Sequence, residues 1–194
     1  MSKISYYVID SSSLIELNIR YPMDVFPGLW KNVEELINKG FLISPKEVLK
    51  EISVKDDALK KWAVNQKKLF KELNENQIKI VKEILKKYPS LAKSDNEFSA
   101  ADAFIIALAI ELQDDPQMTL VPTVKGRIIV TEEELRGNKV RIPFVSKDYN
   151  IDCIKIIEMC IRGQNNTVPS GDFCLRNRPI FEVPLGRRMA IRAY

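Results

Sequence analysis

Four acidic positions, the fourth either Glu132 or Glu133, carry the chemistry open to this chain. Asp10 closes a short apolar run and is followed at once by Ser11, Ser12 and Ser13. Glu51 lies one turn beyond Glu47 on the same predicted helix face, where two like charges are mildly unfavourable. Asp102 falls at N3 of a helix that Ser99 is placed to cap, in Phe98-Ser-Ala-Ala-Asp102-Ala-Phe-Ile-Ile-Ala-Leu-Ala109. Glu132 and Glu133 follow Arg127-Ile-Ile-Val130 and Thr131. Each acid alone reads as a helix cap or a solvated charge. Brought together, their carboxylates repel and their pKa values rise. Mg2+ or Mn2+ removes that conflict, because hard cations take oxygen ligands, keep several waters and can set a hydroxide against a phosphodiester.

The rest of the composition narrows the chemistry in the same direction. The chain has no histidine, which removes Ser-His-Asp and Cys-His catalysis and zinc hydrolysis on His ligands. Hydrolysis must run on carboxylates with hard cations, or on Lys and Tyr. Cys153, Cys160 and Cys174 are odd in number and lack zinc-type spacing, which fits a reducing cytoplasm. With 194 residues, 45% hydrophobic and 29% charged, the chain reads as a soluble domain with a full core. No apolar run is long enough to span a bilayer, and the N-terminus lacks a signal-peptide core. A formal net charge of +4 permits a polyanionic partner without requiring one.

The acids depend on the elements between them. Ser-Tyr-Tyr-Val-Ile at 5–9 reads as a buried strand, as do Phe41-Leu-Ile43, Arg127-Ile-Ile-Val130 and Ile151-Asp-Cys-Ile154, the last at the sheet edge. Helices are expected after Asp10, over 30–38 with Lys39-Gly40 as its stop, from Ser44-Pro45-Lys46-Glu47 with Ser44 as N-cap, and from Ser99. Residues 58–88 read as an inserted pair of helices parted near 73–76, with lysines on the outside. That lysine face is either a solvated surface or an electrostatic rim for a phosphate backbone, with Lys67, Lys68 and Lys71 at its centre. A short helical turn is expected over 145–149, and a last helix ends near Met159. Residues 1–161 therefore form the expected domain, and 162–194 an irregular, arginine-bearing tail, native or not.

Alternating strands and helices imply a parallel sheet with right-handed crossovers, whose strand ends share one edge. The fold class expected is α/β, three layers, with a central parallel sheet of four or five strands. Asp10, Glu51, Asp102 and Glu132 or Glu133 then arrive at that edge together. Ser12 stands where an aspartyl-phosphate phosphatase has a second Asp, and no glycine-rich phosphate loop occurs.

The ordered set Tyr7-Val-Ile-Asp-Ser-Ser12, Ser44-Pro-Lys-Glu-Val-Leu-Lys-Glu51, Ser99-Ala-Ala-Asp102-Ala-Phe-Ile-Ile-Ala-Leu-Ala109 and Ile128-Ile-Val-Thr-Glu-Glu133 resembles the PIN-domain nucleases, the family of VapC-type toxin ribonucleases. Within it the chain is most similar to a branch with a long helical insert. The resemblance implies that Asp10, Glu51 and Asp102 ligate Mg2+ or Mn2+ and that Ser12 orients Asp10. It gives the fourth acid as Glu133, with Glu132 as the alternative, in place of the family's usual Asp or Asn. It implies an endoribonuclease acting on RNA, a homodimer, and a cognate antitoxin as partner. The same residues admit a reading of another class, a catalytically inactive PIN-like binding or regulatory protein, and also a nuclease directed at DNA.

Overall fold

The structure, a computed structural model, describes residues 4–55, 57–72, 74–92, 101–114, 124–137 and 139–167. Five strands form one all-parallel sheet: β1 (Ile4–Ile9), β2 (Leu42–Pro45), β3 (Phe70–Lys71), β4 (Val124–Val130) and β5 (Asp152–Ile154), in the order β3-β2-β1-β4-β5. Eight α-helices flank it among the described residues: α1 (Ser11–Arg20), α2 (Pro27–Asn38), α3 (Lys46–Lys55), α4 (Asp57–Asn65), α5 (Glu75–Lys87), α6 (Ala101–Asp114), α7 (Ile142–Asp148) and α8 (Ile156–Thr167). The expected three-layer α/β/α class is the class observed.

The central strand β1 is apolar on both faces, since Tyr7, Val8 and Ile9 are all fully buried. Helices must therefore cover both sides, as they do for interior parallel strands generally. The helix α6 packs on β1, β2 and β4 and against α5. Its residues Ile105, Ile106, Ala107, Leu108 and Ala109 are buried almost all round, so the first turn of α6 is held by the core itself. On other parts of the sheet, α2 packs on β2 and α8 on β1, with α1 and α2 against α8. The expected stop at Lys39-Gly40 is present. Gly40 has φ +75, and Gly40 N–H and Phe41 N–H donate to the carbonyls of Ile37 and Leu36 at 3.0 and 2.9 Å.

Three expectations are corrected. Ser44 does not cap α3: β2 runs on to Pro45, the Ser44 N–H donates to Leu69 O at 2.8 Å, and its hydroxyl donates to Ile9 O at 2.7 Å. Residues 58–88 are not only a helical pair, because the first helix stops at Asn65. Phe70–Lys71 then pairs with Ser44 and Pro45 as an edge strand of the main sheet. The last helix does not end near Met159 but continues through Thr167. Gly163 keeps it docked, since a Cβ there would meet Leu36 Cδ1 at 2.8 Å. The boundary at 161/162 thus cuts a continuous helix, while the tail beyond 167 and the Ser99 cap lie outside the described residues. Among the described residues no helix is long and apolar enough to cross a membrane.

Candidate functional site

Asp10 follows the last residue of β1 and is the N-cap of α1, so both the bland and the chemical expectation fall on one side chain. It is buried, and its carboxylate is surrounded by donors. Oδ1 accepts from Ser11 N–H at 2.6 Å and lies 3.3 Å from the Ser11 hydroxyl oxygen. Oδ2 accepts from the hydroxyls of Ser12 at 2.5 Å and Thr131 at 3.1 Å. The register explains the meeting. Ile9 is paired with Val130, so Asp10 and Thr131 leave the sheet side by side. Ser12 also accepts from Glu132 N–H at 3.0 Å, which fastens the turn after β4 to the start of α1. Ser12 thus ties the Asp10 carboxylate to the turn after β4.

Glu51 reaches the same place from α3. Its Oε2 accepts from the Ser11 hydroxyl at 2.5 Å, so Ser11 joins the two carboxylates, with its one hydroxyl proton on Glu51 and its N–H on Asp10. Asp102 stands in the first turn of α6. Its carboxyl is pushed up from 3.8 to about 8, first by burial and then by the charges of Asp10, Glu133 and Glu51. Three carboxylates from three other places in the chain are therefore near enough to act on a fourth.

The two glutamates after β4 take different positions. Glu132 turns to α8: Oε1 accepts from Ile156 N–H at 2.9 Å, and Oε2 pairs with Lys155 at 3.7 Å. It satisfies a free amide of that helix. Glu133 turns to α7: Oε2 accepts from Ile142 N–H at 3.1 Å and Oε1 from Arg141 at 3.0 Å. Its carboxyl is also raised, chiefly by burial and further by Asp10, while Ile142 N–H and Arg141 pull it back down. Glu133, not Glu132, faces the other acids.

The carboxylates share a neighbourhood without forming a ligand set. Among the described residues no three Asp, Glu, Cys or His groups lie close enough together to hold a metal ion as they stand. Ser11 holds Glu51, and Arg141 with Ile142 holds Glu133. The donor chemistry nevertheless fits a hard divalent cation. All the donors are oxygens, burial and then the neighbouring carboxylates raise the Asp102 carboxyl to about 8, and the Arg141 guanidinium opposes them.

The lysines lie apart from this edge to differing degrees. Lys67 and Lys68 are exposed in the turn between α4 and β3. Lys71 is exposed on β3, level with Pro45 at the carboxyl end of β2, two strands from Asp10. A cavity of about 350 Å3 between α7 and β5, lined by Pro143, Lys147, Asn150, Ile151, Asp152 and Cys153, takes in none of the acids. Sequence reasoning missed Ser11, Thr131 and Arg141 as parts of the site. The first two sat inside the quoted motifs. Arg141 stood in what reads as a plain connector, and only its charge, opposite to the acids, singled it out.

No curated protein matches the chain. The model of one family, described as "Domain of unknown function (DUF4411)", matches residues 7–167 and so takes in every acid of the site and the whole described sheet from Tyr7 onward. The chain belongs to that DUF4411 family.

Proposed function

We propose that this protein is a divalent-cation-dependent endoribonuclease of the PIN-domain kind, working in the cytoplasm as the toxin of a toxin–antitoxin pair and as a homodimer. One observation carries the reading. Asp10, Glu51 and Glu133, from the end of β1, α3 and the turn after β4, act together on the carboxyl of Asp102 in α6 at one edge of a parallel sheet. Such edges are where open α/β sheets place their ligands.

Asp10, Glu51, Asp102 and Glu133 are the residues that would hold Mg2+ or Mn2+. When bound, such an ion neutralises phosphodiester charge and lowers the pKa of its water. The chain's own groups do the positioning. Ser12 and Thr131 fix both the direction and the hydrogen bonding of Asp10 Oδ2. Ser11 sets Glu51 against Asp10. Burial and the neighbouring acids favour the protonated Asp102 carboxyl, whose proton would have to leave before it could serve as an anionic ligand. A phosphate backbone approaching this edge meets Lys71 on the flank.

A binding module without catalysis is the second reading, favoured by the use of Glu132 and Glu133 as acceptors for the amides of Ile156 and Ile142. Incubating the purified protein with end-labelled single-stranded RNA in Mn2+, in Mg2+ and in EDTA separates the two. The nuclease reading expects cleavage with either cation, none in EDTA, and none with a folded Asp10→Asn variant. Cleavage that survives EDTA, or no cleavage with any cation, refutes it.

A further inference from the structure

Arg141 is a cation whose charge acts on the Asp102 carboxyl, against those of Asp10, Glu133 and Glu51. It directly precedes α7 in extended backbone, with φ −142 and ψ 175, and its own side chain caps nothing. Its Nη1 donates to Glu133 Oε1 at 3.0 Å, and its side chain is 42% exposed against 19% for Glu133. Lys155 nearby is placed very differently. Its ammonium donates to the carbonyls of Glu132 at 2.5 Å and Glu133 at 3.3 Å and forms an ion pair with Glu132 Oε2 at 3.7 Å, so it is tied to the turn after β4 by two backbone acceptors. The guanidinium has five N–H groups, and Glu133 takes one of them.

The pairing of Arg141 with Glu133 answers a local need. Glu133 is largely buried beside other acids, and a guanidinium is the nearest remedy. A half-exposed ion pair of this kind is weak and exchanges readily. A divalent cation held by the acids would neutralise them and relieve Glu133 of its need for the arginine. The fork of N–H groups would then be released beside the carboxylate cluster, and that fork matches the two non-bridging oxygens of a phosphate better than any other side chain does.

We propose that Arg141 is a substrate-binding residue that trades Glu133 for the phosphodiester seated at the carboxylate cluster. This rests on the nuclease reading above. It differs from a purely positioning role, in which Arg141 serves only to hold Glu133 in place. The two roles move cation binding in different directions. On exchange, Arg141 competes with the cation for Glu133, so its removal leaves Mn2+ affinity unchanged or raised. On positioning, its removal lets Glu133 wander, and Mn2+ affinity falls with RNA affinity.

The test uses the full chain and its Arg141→Gln and Arg141→Lys variants, each checked for folding by circular dichroism. Mn2+ binding is read by calorimetry, and RNA cleavage is followed at several salt concentrations. Arg141→Gln should lower kcat/KM about ten- to hundredfold, mainly through KM, as expected for loss of one charge-assisted contact. The slope of log KM against log salt should become shallower by about one phosphate contact, with the Mn2+ Kd the same or tighter. Arg141→Lys should recover part of the loss, as a point charge without the fork. An unchanged KM and salt slope, in a wild type that cleaves, overturns this inference alone. A Mn2+ affinity that falls in step with RNA binding also overturns it and makes Arg141 a positioning residue. A wild type without cation-dependent cleavage overturns the nuclease reading, and this inference with it.

Discussion

Replacing Asp102 with Asn keeps the shape of the side chain and an oxygen acceptor in the first turn of α6 while removing one charge. Above about pH 8 the metal-free wild type carries that charge at a cost. A carboxyl raised from 3.8 to about 8 keeps its proton in the folded state over a pH range where the unfolded chain has lost it. The native state therefore binds more protons between those two values, and stability falls as pH rises through that window. At about 1.4 kcal/mol per pH unit the full penalty above pH 8 is on the order of 5 kcal/mol. Water reaching a partly exposed site screens roughly half of it, leaving about 2–3 kcal/mol. In a domain of this size each kcal/mol moves Tm by about 2–4 °C. Asp102→Asn should therefore melt about 5–10 °C above wild type at pH 9 in EDTA, and within about 2 °C of it at pH 4. Saturating Mn2+ should raise the wild type strongly and the variant little. The assay is thermal unfolding from pH 4 to 9, with and without Mn2+. A variant that tracks wild type at every pH, or melts below it at pH 9, removes the crowded carboxylates from the explanation.

Ser12→Ala takes a donor from Asp10 Oδ2 and an acceptor from Glu132 N–H, and should cost about 1–3 kcal/mol in urea unfolding along with weaker Mn2+ binding. Glu132→Ala and Glu133→Gln should separate structure from chemistry. The first loses about 1–2 kcal/mol from the α8 cap with Mn2+ affinity intact, and the second keeps its stability in calorimetry but loses at least about tenfold in Mn2+ affinity. Lys71→Gln should flatten the salt dependence of RNA binding more than Lys67→Gln or Lys68→Gln, because Lys71 is level with the carboxyl end of β2. Equal slopes for all three would return that flank to a solvated surface.

Asp10 and Asp102 were legible in the sequence because each adjoins an apolar run that can only be core. Tyr7, Val8 and Ile9 are fully buried, as are Ile105 and Ile106. Glu51 was legible as the acid left over once Glu47 stood at the helix start. Glu132 and Glu133 could not be told apart, because what separates them is tertiary. The amides they accept from belong to Ile156 and Ile142, far along the chain. The strand β3 was hidden by its length, since two residues show no alternation and lysines before it suit a helix. Ser44 and Pro45 have the composition of a helix start, but the Ser44 amide is committed to Leu69 O, and the sheet claims both residues first. Residues from 162 on read as tail, yet Gly163 lies in α8, where its missing side chain is what lets Leu36 approach.

Anomalous diffraction from Mn2+-soaked crystals tests the four-carboxylate site most directly. A divalent-cation site predicts a strong peak at the carboxyl end of β1 in contact with Asp10 and Asp102, with ligand distances of about 2.0–2.3 Å. Glu133 should have moved off Arg141. A peak elsewhere, or none at saturating Mn2+ with Ser11 still joining Glu51 to Asp10, would contradict it.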